Sequence, residues 1–422
     1  MMESHLRCPT PGCGQESDRN AAEYLCPSCH GLLELSYDYQ REAAERWPAL
    51  WRSRGPGGSS ADRSGVWRFR EMLPLFDETD QVVSLGEGVT PLVDLPRAAS
   101  WVGVELLSVK HQGANPSGSF KDLGMTVCMT EAVRLRARVV ACASTGNTSS
   151  SMAAYAASAG LKAVVFVPRG AVSGAKLAQA LDFGARVVEV GDNFDQAFRI
   201  LRELAPRLGL YLVNSVNPFR LEGQKSIAMG LLEQCDWRPP DYIVLPGGNL
   251  GNVSAVGKGL RELAELGLLT KMPRLVVVQA EGAAPFHQLW STGSSELTPV
   301  PDPSTRATAI RIGNPANWPR ARRALERTEG LTAAVSDMEI EAAKRELADC
   351  GIGCEPASAS TLAGVRKLRL QGLMERGARV VLILTGHQLK DTDYITERPA
   401  GAAIRTAGST VEEVEALVRP WV

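Results

Sequence analysis

Short runs of β-branched and aliphatic residues, each set off from the next by a stretch of helical length, constrain this chain more than any other feature. From about residue 104 they include RVVACA (138–143), AVVFVP (163–168), RVVEV (186–190), LYLVN (210–214), DYIVLP (241–246), RLVVVQA (274–280) and RVVLILT (379–385). Helices are predicted between them, for example over DLGMTVCMTEAVRLR (122–136) and NFDQAFRILRELAPRL (193–208). A strand apolar along its whole length must be covered on both faces, as in a parallel sheet wrapped by crossover helices. The fold class is therefore α/β. The alternation is too long for one compact sheet, and at 422 residues it predicts two α/β domains with parallel sheets. In such folds ligands bind in the loops that leave the carboxyl ends of the strands.

The expected division is a small module over 1–37, then an N-terminal part of the catalytic body over 38–125. A smaller α/β domain follows over 126–220. A larger one over 221–422 is completed by part of 38–125. RSRGPGGSSADRSG (52–65) reads as a flexible linker, and STGSSELTPVPDPST (291–305) as a long surface loop. Lysine plus arginine number 46 against 47 aspartates and glutamates, a net charge of −1, so no whole-protein field draws nucleic acid or an anionic membrane. No apolar run reaches the length of a membrane span. The N-terminus has neither a secretory nor a transit pattern, and the expected compartment is the cytoplasm.

Four of the nine cysteines, Cys8, Cys13, Cys26 and Cys29, lie in the first 29 residues, and the rest are scattered. An odd count clustered at one end argues for a metal site rather than a disulfide framework. The pattern Cys-x4-Cys, twelve residues, Cys-x2-Cys supplies paired thiolates for tetrahedral zinc in a segment too short to build its own core. His5 and His30 are candidate substitute ligands, with solvated neighbours the plainer reading. With four cysteines the coordination sphere closes and the zinc is structural.

Four loops carry chemistry-bearing residues. In NPSGSFKDLGMT (115–126), Lys121 opens a helix, where the positive end of the dipole disfavours its charge and favours a neutral amine able to form an imine. PGGNLGN (246–252) follows a strand and precedes a helix, and its glycines let backbone N–H groups approach a phosphate. STGNTSSS (144–151) sets hydroxyls and an amide at a helix start, and TGHQLKD (385–391) ends a strand with Thr385 at the crevice. Each also has a plain reading as a surface lysine, a tight turn, a helix cap or a strand end.

In this order the segments resemble the pyridoxal-phosphate enzymes of the tryptophan-synthase-β fold, fold type II, and within them the threonine synthases. The resemblance is carried by GEGVTPL (86–92), NPSGSFKDLGMT, CASTGNTSSS, VNSVNPFRLEGQK (213–225), LPGGNLGN, AIRIGNPANW (309–318), CEPASA (354–359) and LTGHQLKD. CPSCHGLLELSYDY resembles the zinc ribbon that precedes many short threonine synthases. The resemblance implies pyridoxal phosphate as cofactor, joined covalently to Lys121, which then acts as mobile acid and base. Phe120 packs beside the cofactor, Asn147 meets its ring oxygen, and Gly247, Gly248, Asn249, Leu250 and Gly251 hold its phosphate. Thr385 faces the pyridine nitrogen, and a neutral hydroxyl there suits elimination and replacement over transamination.

The implied reaction is γ-elimination of phosphate from O-phospho-L-homoserine followed by β-addition of water to give L-threonine. The substrate phosphate and carboxylate fall to Ser144, Thr145, Thr148, Asn214, Ser215, Arg220 and Asn252, with Lys110 a further candidate. Arg220 is the best charged partner, since a guanidinium grips phosphate with two hydrogen bonds. The partner is a small phosphorylated amino acid, and the family-based assembly is a homodimer. Ser117, Leu123 and Gln388 depart from the commoner family residues, and Gln388 bears on substrate preference. The competing readings are a paralogue acting on another phosphorylated amino acid, as cysteate synthase acts on O-phosphoserine, a serine/threonine dehydratase, and an inactive binding protein.

Overall fold

The N-terminal segment folds as an antiparallel ribbon of β1 (Ser4–Arg7), β2 (Glu16–Ser17) and β3 (Glu34–Tyr37), in the order β2-β1-β3. The computed structural model describes the chain except residues 1–3, 22–23, 40, 56, 74–81, 171–173, 192, 397–405, 408 and 422. After the ribbon come β4 (Leu92–Asp94) and β5 (Leu106–His111). A second set follows, β6 (Val139–Ala143), β7 (Lys162–Val167), β8 (Arg186–Glu189) and β9 (Leu210–Leu212). The last set is β10 (Tyr242–Pro246), β11 (Arg274–Ala280), β12 (Leu331–Val335) and β13 (Arg379–Leu384).

The second set makes a four-stranded parallel sheet in the order β8-β7-β6-β9. The first and last sets combine into a six-stranded sheet, β12-β11-β10-β13-β5-β4, parallel except for the edge strand β4. Alternation along the large sheet divides its core. Val244, Val276, Val278, Leu382 and Leu384 pack on one face with Leu362 and Val365 of the helix Pro356–Leu370. Ile243, Leu245, Leu275, Val277 and Ile383 pack on the other with Ile227 and Leu231 of Pro218–Gln234 and Val256 and Leu260 of Gly251–Glu265. Burial on both faces explains why these strands are apolar at consecutive positions.

Strand order fixes where loops diverge. From β6 the chain steps through β7 to β8, whereas β9 lies on the other side of β6; from β10 it steps through β11 to β12, whereas β13 lies on the other side of β10. Each sheet therefore has a switch point, between β6 and β9 and between β10 and β13, and a crevice opens where such loops part. The loops after those four strands are Ser144–Gly146, Val213–Asn217, Gly247–Leu250 and Thr385–His387. The helix Lys121–Arg134 packs against both Asn147–Ser158 and Pro218–Gln234. A Cβ at Gly223 would strike the Leu123 carbonyl, and one at Gly124 would meet the Arg220 carbonyl at 2.7 Å, so both helices need glycine to approach this closely.

The expected linker at 52–65 is built structure instead. Ser59 and Asp62 form a capping box on the short helix Ser60–Arg63, Arg54 pairs with Glu71, and buried Ser64 bonds to buried Glu87. Its Gly/Ser/Arg content serves caps, ion pairs and a tight approach of Gly65 to Gly88. Among the described residues no helix is long and apolar enough to cross a membrane.

Candidate active site

Lys121 is the first residue of its helix, with Phe120 at the N-cap, and its Nζ lies 3.8 Å from the centroid of the Phe120 ring. The Phe120 amide donates to the Thr385 carbonyl at 2.9 Å, which fixes the lysine loop against the end of β13. The loop is tightened from inside by buried Asp122, which accepts from the Ser117 amide at 2.7 Å and from Ser151 Oγ at 2.6 Å. Burial, and next the Arg220 guanidinium, pull the Lys121 ammonium down to about 7, while Glu355 opposes them. The neutral amine expected from the helix dipole is thus favoured chiefly by desolvation and a neighbouring cation.

Glu355 had no role assigned from the sequence, although it lies in the CEPASA segment. It stands at the N-cap of Pro356–Leu370 yet makes no cap bond. Its carboxylate instead accepts from Asn147 Nδ2 and from Thr385 Oγ1, each at 2.9 Å. Ser358 Oγ accepts the Thr385 and Gly386 amides at 2.8 and 3.1 Å and lies 3.0 Å from Thr385 Oγ1. With both amides donating to it, the Ser358 hydroxyl is left to donate to Thr385, and the chain of donors runs from Ser358 through Thr385 to Glu355. Burial raises the pKa of the Glu355 carboxyl. Asn147 and Thr385, from different sheets, thus meet at one acidic group beside Lys121. Gln388 packs its amide on Gly353, two residues before Glu355.

At the end of β10, Gly247 donates to the Val278 carbonyl, and its own carbonyl accepts from Gln279 Nε2 at 3.0 Å. A Cβ at Gly247 would meet Val277 at 2.6 Å and one at Gly248 the Ala309 carbonyl at 2.9 Å, so only glycine fits. Leu250 adopts a left-handed conformation (φ 60°) and Gly251 begins a fifteen-residue helix. Among the described residues the amides of Gly248, Asn249 and Leu250 donate to no protein acceptor, and the side chain of Asn252, 6% exposed, has no partner on either amide atom. Unpaired donors on a rigid turn at a helix start fit a phosphate. Asn249 is part of the frame: it donates to Ser215 Oγ at 2.6 Å and accepts from the Ala316 amide at 2.7 Å.

Arg220 is buried, with Nη1 on the Val213 carbonyl at 3.2 Å and Nε unpaired among the described residues. Ser144 Oγ accepts the Gly146 amide, and Thr145 on that loop and Thr148 in the first turn of the helix that follows are partly exposed. Two expected substrate contacts are engaged elsewhere. Asn214 holds both the amide and the carbonyl of Ala143, locking β9 to β6. Lys110 binds the Thr90 carbonyl and Gln234 Oε1 at 2.5 and 2.7 Å, because alternation on β5 sends it to the face shared with Ile383.

In the ribbon the four cysteine sulfurs lie within 4.8 Å of one another, with Cys8–Cys29 at 3.4 Å and Cys13–Cys26 at 3.6 Å. Four thiolates about 2.3 Å from one zinc ion stand about 3.8 Å apart, so the donor set and spacing fit tetrahedral zinc. His30 is exposed and outside the cluster.

The family model for pyridoxal-phosphate dependent enzymes matches residues 83–386. A threonine synthase of Methanocaldococcus jannaschii is 45% identical over 382 residues, 90% of this chain and 92% of that protein. One from Methanosarcina acetivorans is 43% identical over 394 residues, 93% of this chain and 94% of that protein. The chain belongs to the threonine synthases, within the pyridoxal-phosphate-dependent enzyme family. Among solved structures it is similar to threonine deaminase isoform 2 from Solanum lycopersicum (TM-score 0.63, 20% identity, 73% of this chain and 81% of that one). Maize serine racemase is similar to the same degree (TM-score 0.63, 19% identity, 74% and 92%). At these identities the two structures speak for the fold alone. Family membership makes pyridoxal phosphate the cofactor, and the lysine, glycine turn and strand-end hydroxyl supply groups that fit it.

Proposed function

We propose that this threonine synthase converts O-phospho-L-homoserine and water into L-threonine and inorganic phosphate at the crevice between the two switch points. The observation that carries the reading is a pair of separate anion-seeking features, one of them beside Lys121. One is the glycine turn with its unpaired amides. The other is buried Arg220, whose Nε has no partner among the described residues. A buried guanidinium without an ionic partner is costly, so its retention points to an anion that arrives with the substrate. A dehydratase has no need of a second phosphate site.

The unpaired amides of Gly248, Asn249 and Leu250, on the turn that Gly247 anchors to Val278, would hold the cofactor phosphate. Asn147 and Thr385, both tied to Glu355, would hold the cofactor ring. Pyridoxal phosphate, when bound, supplies an electron sink for the charge left on the substrate Cα. Lys121, its pKa drawn down by burial and Arg220 and its amine packed on Phe120, removes the Cα proton and returns a proton to the carbon chain. Arg220 carries the phosphate of the substrate as it leaves Cγ, and Ser144, Thr145 and Thr148 face the carboxylate. The thiolates of Cys8, Cys13, Cys26 and Cys29 hold a structural zinc. The two sheets support a division into two α/β units, the larger completed by β4 and β5.

The test is phosphate release from O-phospho-L-homoserine set against O-phospho-L-serine, with borohydride reduction and peptide mass spectrometry to locate the cofactor. The reading expects the homoserine ester to be preferred and the label on Lys121. Preference for phosphoserine, or turnover in Lys121→Ala, sinks it.

A further inference from the structure

Asn317 is fully buried at the N-cap of the helix Trp318–Arg327, yet its side chain caps nothing. Arg320 Nη1 donates to Asn317 Oδ1 at 2.9 Å. That donor compels the amide oxygen to face the arginine and turns the NH2 group the other way. This Nδ2 has no partner among the described residues and lies 3.6 Å from the place a Cβ on Gly251, the last residue of the glycine turn, would take. The preceding residue is tied to the same turn, since the Ala316 amide donates to Asn249 Oδ1 at 2.7 Å. A buried NH2 without an acceptor costs free energy unless a ligand supplies one.

Arg320 is itself held by the ribbon. Its Nη2 donates to the Leu33 carbonyl and its Nε to Glu34 Oε1 at 3.1 Å. Glu34 is the first residue of β3 and pairs in register with Arg7 of β1. Leu33 is tied back to the Tyr24 carbonyl, two residues before Cys26. An unbroken set of bonds therefore runs from the cysteine ribbon through Arg320 to Asn317.

We propose that Asn317 donates a hydrogen bond to the phosphate seated in the glycine turn, and that the N-terminal ribbon positions it through Arg320. The inference rests on the reading of that turn as the cofactor-phosphate site. Asn317 binds the anion; Arg320 and Glu34 are positioning residues. The ribbon thereby takes part in holding the cofactor while contributing no group to the reacting end of the site.

The experiment titrates the apo-protein with pyridoxal phosphate and, separately, with pyridoxal, which has the ring and aldehyde but no phosphate. Wild type is expected to bind the phosphorylated form far more tightly. Asn317→Ala should weaken pyridoxal phosphate by about tenfold or more, as loss of a bond to a charged group does, and leave pyridoxal unchanged. Asn317→Asp keeps an oxygen for Arg320, so it folds even if the alanine variant does not, and it replaces the donor with a repelling charge. It should lose at least as much and shift the phosphorus NMR signal of the bound cofactor. Glu34→Gln should show a smaller loss, again confined to the phosphorylated ligand. Equal loss for both ligands, or full retention of phosphate preference in Asn317→Asp, overturns the proposal. No preference in wild type overturns the turn's assignment as well, and so separates that failure from failure of Asn317 alone.

Discussion

The depressed pKa of Lys121 makes a kinetic prediction. Only the neutral amine attacks an aldehyde, so attachment of pyridoxal to apo-protein follows the unprotonated fraction of Lys121. With the amine held at about 7 by burial and Arg220, that fraction rises from about 10% at pH 6 to about 90% at pH 8. The rate should climb about tenfold and then level off. An ordinary lysine, near 10.4, would give about a hundredfold rise with no plateau. Stopped-flow absorbance, with pyridoxal in excess to avoid titration of a ligand phosphate, measures the profile. Arg220→Gln removes a neighbouring cation and should move the midpoint up. Glu355→Gln removes the charge that favours the ammonium and should move it down. A featureless hundredfold rise, or a downward shift in Arg220→Gln, would refute the electrostatic account.

Glu355→Ala leaves Asn147 Nδ2 and Thr385 Oγ1 without their acceptor, which should cost about 1–3 kcal/mol for each group stranded. Urea unfolding of the apo-protein should show this loss, with Glu355→Gln recovering part of it. Lys110 is pulled to about 7, first by burial and then by Arg68. The unfolded chain therefore binds its proton more readily between about pH 7 and 10, and stability gains up to about 1.4 kcal/mol per pH unit there. That pH-dependent component should vanish in Lys110→Met, checked by unfolding at pH 7, 8 and 9. Metal analysis should find about one zinc per chain, lost in Cys26→Ser, with a lower melting temperature because the ribbon no longer holds Arg19 on buried Glu131.

Much of the fold was legible because burial on both faces writes itself into consecutive apolar residues, as in YIVLP of β10 and LVVVQ of β11. β5 and β12 were missed for the opposite reason. LLSVKH interrupts its apolar run with Ser108, Lys110 and His111, and LTAAV is too alanine-rich to look like a strand. Lys121, Asn147, the glycine turn and Thr385 were legible as unusual residues at strand ends or helix starts. Glu355 was hidden because a carboxylate before a helix reads as a cap. Only the bonds to Asn147 and Thr385, which lie 208 and 30 residues away, reveal its other use. Arg320 and Asn317 carry no local signal, since their meaning depends on a ribbon nearly 300 residues earlier in the chain. Lys110 and Asn214, polar residues near a motif, also hold the frame, Lys110 on Thr90 and Gln234 and Asn214 on Ala143.

Two cations, Lys121 and Arg220, face one crevice in which Glu355 is the acidic group that bears on Lys121. Lys121 relieves the strain in part, its pKa drawn down to about 7; Arg220 remains charged, and its Nε has no partner among the described residues. An anion that binds there should therefore stabilise the folded chain by RT ln(1 + [L]/Kd), about 2.7 kcal/mol at a hundred times Kd. The glycine turn would also take phosphate, so the measurement belongs on cofactor-loaded protein, where the turn is filled. Melting temperature should then rise with inorganic phosphate in the wild type. In Arg220→Gln it should not, because a neutral amide has no charge to be compensated. If the variant keeps the full phosphate response, the second anion site lies elsewhere, and the assignment of the substrate phosphate to Arg220 falls with it.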